Sequence, residues 1–270
     1  MKYIGYFISA TLAVAANSQA VAADWSDSSV GIRYGSNFSE AGVGKGIHKT
    51  IYNFSHASGD KLGTNYFTAD VYKSDGNDPA ANSFNGAQEI YGLYQRTFSF
   101  SKMLDKSDGF GPFKDISLLL RADMGTKNTS FAPRPRKYRA GLQAQLPVNN
   151  GFWDIGISAY QESNHNGIVG RDVRFKTTWS LTSAWSMPAG PGAIQGFLAV
   201  TGPKGRDGFG NKTKTETLLR VSYLVDVFGN GLKAGVAYEY WRNMYGNNEQ
   251  MDSTRGSRGG LPLLIVEQHF

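Results

Sequence analysis

The feature that most restricts this chain is a period of two in its side chains, repeated along almost its whole length. In KYRAGLQAQL, Tyr138, Ala140, Leu142, Ala144 and Leu146 share one face of an extended chain, and Lys137, Arg139, Gln143 and Gln145 share the other. In a soluble sandwich the apolar face is core. In a membrane barrel it meets lipid, and the charges turn inward.

The same alternation recurs in twelve segments from residue 28 onward, with no amphipathic helix among them. DISLLLRADM sets Ile116, Leu118, Leu120, Ala122 and Met124 against Ser117, Arg121 and Asp123. DVRFKTTWSLT, read as one continuous strand, sets Val173, Phe175, Thr177, Trp179 and Leu181 against Arg174, Lys176, Thr178 and Ser180. TETLLRVSYLVDVF and LKAGVAYEYWR repeat the scheme, with Arg220 and Glu239 on their polar faces. EIYGLYQRTFSF is aromatic on both faces, so its orientation stays open. Glycine at 33 of 270 residues and 13% aromatics suit turns and sheets better than helices.

The connections alternate as well. Long polar ones are expected around residues 38–47, 75–87, 125–136, 163–170, 202–213 and 244–260, separated mostly by tight turns; SKMLDKSDGFGPFK is the exception. Twelve is an even number, as bacterial single-chain barrels require, and their short turns face the periplasm while their long loops face outward. Polar strand faces carrying both charge signs suit a lumen, and strands in lipid must close because an open edge leaves backbone groups unpaired. The reading is therefore all-β: a transmembrane antiparallel barrel of twelve strands in the outer membrane of a Gram-negative bacterium. A last strand with Pro262, Leu264 and Val266 at period two, finishing on Phe270, fits barrel closure and recognition by the barrel-assembly machinery.

At the other end, Lys2 precedes an apolar run through Ala16 and a small-residue site at Ala20–Ala22 or Val21–Ala23. Residues 1–23 read as a cleaved signal peptide and 24–270 as one barrel domain. No later segment approaches the ~18 apolar residues of a spanning helix. The absence of cysteine excludes disulfides, thiolate metal sites and a cysteine nucleophile. A formal charge of +6 is spread along the chain, with RPRKYR (Arg134 to Arg139) its one dense basic cluster. Next to an export signal, that cluster reads as a solvated loop entering a strand rather than a nucleic-acid patch.

Other motifs do not support chemistry. GRDGFGNKT resembles a phosphate loop, but Asn211 intrudes before Lys212 and a strand follows where a helix is needed. Ser163 and His165 in SNHNG fall in a predicted outer loop, without the ordered pattern of outer-membrane phospholipases, so no enzyme is expected. His48, His56, His165 and His269 lack metal-ligand spacing, and no cofactor is implied.

Phe110-Gly111-Pro112-Phe113-Lys114-Asp115, Asp123-Met124-Gly125, Arg174-Phe175-Lys176, Trp241 and the final Phe270 occur in an order that resembles the Tsx-like nucleoside-specific channels of the bacterial outer membrane. The resemblance implies a twelve-stranded barrel with a narrow lumen lined by aromatic and ionisable residues. It also implies facilitated diffusion of nucleosides and deoxynucleosides, with outer loops that serve as phage receptors in some members. Candidate pore-lining residues are Tyr66, Asp70, Tyr72, Glu89, Tyr91, Arg121, Asp123, Arg139, Arg174, Lys176, Arg220, Glu239 and Trp241. Expected partners are a nucleoside-like solute, outer-membrane lipid and lipopolysaccharide, and phage at the loops, with no nucleic-acid polymer. Two alternatives stand beside this: a barrel for another small polar solute, and an adhesion or phage-docking barrel with a closed lumen.

Overall fold

The computed structural model describes residues 23–41, 43–78, 86–129, 133–251 and 254–270. The segment read as a signal peptide lies almost entirely outside them. The strands are β1 (Trp25–Glu40), β2 (Val43–Asp60), β3 (Gly63–Ser74), β4 (Gln88–Ser99), β5 (Asp115–Lys127), β6 (Arg136–Gln145), β7 (Phe152–Asn166), β8 (Arg171–Arg174), β9 (Thr178–Ala189), β10 (Gly192–Thr201), β11 (Glu216–Asp226), β12 (Leu232–Arg242) and β13 (Gly259–His269). Each pairs antiparallel with its neighbour, β13 pairs with β1, and β6 pairs with β7. Because β8 touches only the outer end of β7, the wall is a closed barrel of twelve strands.

Closure decides which face is which. Ile32, Tyr52, Leu142, Ile157, Val236 and Leu264 are all exposed and point outward, while the residues between them are buried or half-buried. In water such a continuous apolar belt would be untenable, and in a bilayer it is the lipid-facing surface. Each of the twelve wall strands has two paired neighbours, so the ladder satisfies the backbone groups that hydrocarbon cannot. The apolar face of KYRAGLQAQL looks at lipid, and Arg139 is buried inside.

Tight turns gather at one end together with both strand termini, where Phe270 and Ser28 exchange backbone hydrogen bonds of 2.9 and 3.1 Å. Gly190, at φ 59°, followed by Pro191, makes a two-residue turn of the kind that matches strand twist. The long even-numbered connection is a short helix, α1 (Phe100–Met103), whose first turn is capped by the Ser99 side chain. Short turns mark this end as periplasmic.

At the outer end the strands run further than the sequence reading expects. Phe38 pairs with Ile47 and Glu40 with Val43, so most of the predicted loop at 38–47 is ladder, broken by irregularities after Gly35 and Phe38. Likewise β7 extends to Asn166, into the loop predicted at 163–170. Parts of the predicted loops at 75–87, 125–136 and 244–260 fall outside the described residues.

The lumen is not uniformly polar. Phe38, Ile47, Ile51, Leu224, Ala237, Leu261, Leu263 and Ile265 form a buried apolar cluster on the inner face, with Tyr72 against it. The sequence reading assigns an apolar face to lipid, whereas β13 is apolar on both faces, so its inner leucines escape a two-face rule.

Candidate pore lining

The inner face of β5 and β6 holds the densest polar group. Arg121 grips Asp123 with both ends of its guanidinium, Nε to Oδ1 at 2.7 Å and Nη2 to Oδ2 at 2.8 Å. Arg139 lies across the strand pair, 3.1 Å from Oδ2, and the Tyr91 hydroxyl donates to the same oxygen at 2.9 Å. Alternation puts these side chains on one face of neighbouring strands, and the carboxylate is satisfied from several directions. Arg139 also lies over the Tyr160 ring at 4.9 Å, and Lys137 over Tyr91 at 5.3 Å.

A second group stands on β1 to β3. Asp70 accepts from Asn53 at 2.6 Å and from the Tyr72 hydroxyl at 3.1 Å. Arg33 comes within 2.5 Å of Asp70. Tyr66, two positions from Thr68 on the same inner face, is 39% exposed, so its ring is open to the lumen, within electrostatic reach of Arg33 and Arg121. On β11 and β12, Arg220 donates to Glu239 Oε2 from Nε at 2.8 Å and Nη2 at 2.5 Å, beneath the Phe197 ring.

The outer mouth is bound by loops. Lys204, from the connection between β10 and β11, reaches into the barrel, pairs with Glu162 and packs on the Phe175 ring. Tyr160 donates to the same Glu162 carboxylate at 2.6 Å, and Lys204 and Glu162 are each only 2% exposed. From the last outer loop, Tyr245 donates to Glu40 at 3.2 Å and stacks edge-on against Trp241 at 5.0 Å. Burial, reinforced by Glu40, holds the Tyr245 hydroxyl well above its ordinary value, so it remains a donor. Trp241 Nε1 donates to Glu216 at 2.8 Å, and Lys49 closes on Glu40 at 2.6 Å. Lys127 sits 3.5 Å from Glu89.

Of the predicted lining residues, Tyr66, Asp70, Tyr72, Glu89, Tyr91, Arg121, Asp123, Arg139, Arg220, Glu239 and Trp241 lie on the inner face. Arg174 and Lys176 do not. Between the Ser163–Arg174 and Tyr160–Thr178 pairs, the chain facing β7 uses one residue more than β7 does. That bulge at Lys176 and Thr177 reverses the facing upstream of it, because the side-chain period is two. Phe175 therefore turns inward and is buried, Arg174 points outward opposite Ser163, and both Arg174 and Lys176 are exposed.

Sequence reasoning overlooked Arg33, Glu162, Glu40 and Lys49 as lining candidates. Arg33 carried a usable signal, since Ile32 and Tyr34 flank it on the lipid face. Lys204 and Tyr245 come from loops and have no periodicity to betray them. Ser163 lies on the outer face, and His165 is paired with Asp172 at 2.7 Å on the β7–β8 hairpin.

Together the closed ladder, the apolar belt and the ionic interior define an integral β-barrel of the bacterial outer membrane. No family model matches the chain, and no curated protein matches it. Among solved structures, it is similar to the translocator domain of autotransporter NalP from Neisseria meningitidis, with TM-score 0.47 and 12% identity over 98% of this chain and 96% of that one. It is also similar to the outer-membrane protein opdK from Pseudomonas aeruginosa (TM-score 0.28, 9% identity, 92% and 100% covered). A bacterial polysaccharide outer-membrane secretin gives TM-score 0.39 and 9% identity, with 92% and 99% covered.

Proposed function

We propose that the barrel is a passive outer-membrane channel for small polar solutes, and that nucleosides and deoxynucleosides are the solutes it passes. The observation that carries this reading is Tyr66, an accessible aromatic face inside the lumen with Arg33, Arg121 and Asp70 around it. A nucleoside offers a flat base to stack on that ring and ribose hydroxyls to bond to carboxylates. Stacking contributes about 1–3 kcal/mol per base in single-strand binding proteins. That is enough to load a solute and weak enough to release it, as conduction requires. The order of motifs shared with the Tsx-like channels supports the same solute class. No group in this scheme transfers a bond, so the solute moves down its own gradient.

Liposomes carrying the purified barrel test the proposal. Thymidine or adenosine is expected to enter them faster than a pentose sugar of smaller size, and Tyr66→Ala to remove the advantage. Equal flux of nucleoside and sugar sinks the nucleoside assignment, and no flux of either sinks the channel.

One observation favours a second reading, the docking barrel with a closed lumen. The Lys204–Glu162 latch and the apolar cluster leave their side chains almost wholly inaccessible. Persistent closure in planar bilayers, together with phage or surface binding that survives Tyr66→Ala, would favour it.

A further inference from the structure

The bulge that turns Arg174 outward brings it into line with the start of the RPRKYR cluster. Arg136, at the start of β6, pairs with Ser163 of β7, and Ser163 pairs with Arg174 of β8. These three residues form one row on the outside of the barrel. Neighbouring strands lie about 4.8 Å apart, so the two arginines are roughly 10 Å apart at the backbone. Arg136 Nη1 is fixed by the carbonyls of Gly125 and Pro135 at 2.8 and 2.9 Å, which leaves Nε and Nη2 without a partner among the described residues. The Arg174 side chain has no hydrogen bond or ion pair among them. Arg134 is exposed, held through its backbone N–H by Asn164 at 2.8 Å, and its guanidinium is likewise unpaired among the described residues. Lys176 flanks the row on the bulge, its stem near Gly205. Asp172, the next outward residue on β8, bonds His165 at 2.7 Å and is otherwise exposed.

The height of this row identifies its occupant. Two residues toward the membrane on β6 is Tyr138, 48% exposed, and just past the bulge on β9 is Trp179, 43% exposed; both face lipid. Such aromatics mark the level of the interface in a membrane barrel. The cations therefore stand one step above the outer girdle, facing away from the lumen. Phosphate groups of outer-leaflet lipids lie at that level. Arginine's planar fork matches phosphate, and a charge-assisted bond is the strong kind.

We infer that Arg134, Arg136, Arg174 and Lys176 form a binding site for the phosphates of an anionic outer-leaflet glycolipid of the lipid A type. The site is independent of whether a solute crosses the lumen. It holds a lipid at the β6–β8 wall.

The test is titration of the detergent-solubilised full barrel with bisphosphorylated lipid A, read by native mass spectrometry. Arg136→Gln, Arg174→Gln and Lys176→Gln together are expected to lower affinity about tenfold or more, the loss of two or more charge-assisted contacts. Dephosphorylated lipid A is expected to bind the native barrel as weakly as lipid A binds that variant. Lys61→Gln, Lys106→Gln and Lys114→Gln remove the same charge at the periplasmic end and are expected to change little. Heat-modifiable mobility reports that each variant is folded; if the triple variant fails that check, Arg174→Gln alone is expected to weaken binding about threefold. Unchanged affinity in the outer variant, an equal loss in the periplasmic one, or displacement of lipid A by inorganic phosphate would each overturn the inference.

Discussion

The two halves of the inner wall are built on different principles. From β4 to β7 the interior is ionic: Asp123 is shared by Arg121, Arg139 and Tyr91, and Glu162 by Tyr160 and Lys204. From β11 through β13 to β2 an aliphatic cluster with Leu263, Ile47 and Ile51 at 0–1% exposure stands beside the Arg220–Glu239 and Lys49–Glu40 pairs. Charges in a confined lumen hold position only while every partner is present, whereas an aliphatic cluster holds by volume and tolerates exchange of like for like. The ionic groups thus fix the inner wall by mutual pairing, and the aliphatic cluster by packing.

The sharpest way to break this contrast is Glu162→Ala, which strands Lys204 in a buried site. Removing one partner of such a pair costs about 3–5 kcal/mol. A clear fall in the urea midpoint of the micelle-bound barrel is expected, along with higher conductance as the Lys204 loop is released. Conductance that stays at the native level would show that this loop does not restrict the mouth.

On the opposite wall, Leu263→Ala is expected to cost about 2–5 kcal/mol through the cavity it opens. Its neighbour Leu264, 61% exposed to lipid, is expected to lose only about 0.5 kcal/mol when truncated. Comparable losses for the two would mean that the inner cluster is not a packed core. A smaller effect comes from Tyr245→Phe, which deletes one hydrogen bond to Glu40 and is expected to cost about 1 kcal/mol. Because Lys49 still holds Glu40, the outer loop should stay closed in that variant, read as unchanged conductance.

Legibility in the sequence followed periodicity closely. On β5 and β6 the lipid and lumen faces can be read residue by residue, because each strand is apolar on one side and polar on the other. The alternation puts Arg121, Asp123 and Arg139 on one face, and all three meet on the inside of the wall. On β13, Leu261, Leu263 and Ile265 alternate with Pro262, Leu264 and Val266, and two apolar faces offer nothing to choose between. Arg174 and Lys176 went astray for another reason: a bulge adds one residue without leaving a compositional mark, and one residue is half the period.

By itself, then, the order of residues settled the class of fold, since a twelvefold two-sided alternation with no helix to cover it can bury its backbone in lipid only by closing. Which polar groups meet, that Lys204 and Tyr245 enter the mouth from loops, and that the Arg174 row faces outward were decided by tertiary structure. Those features depend on register and on contacts between distant segments, such as Tyr245 and Glu40, 205 residues apart, and a local pattern carries no record of such distances.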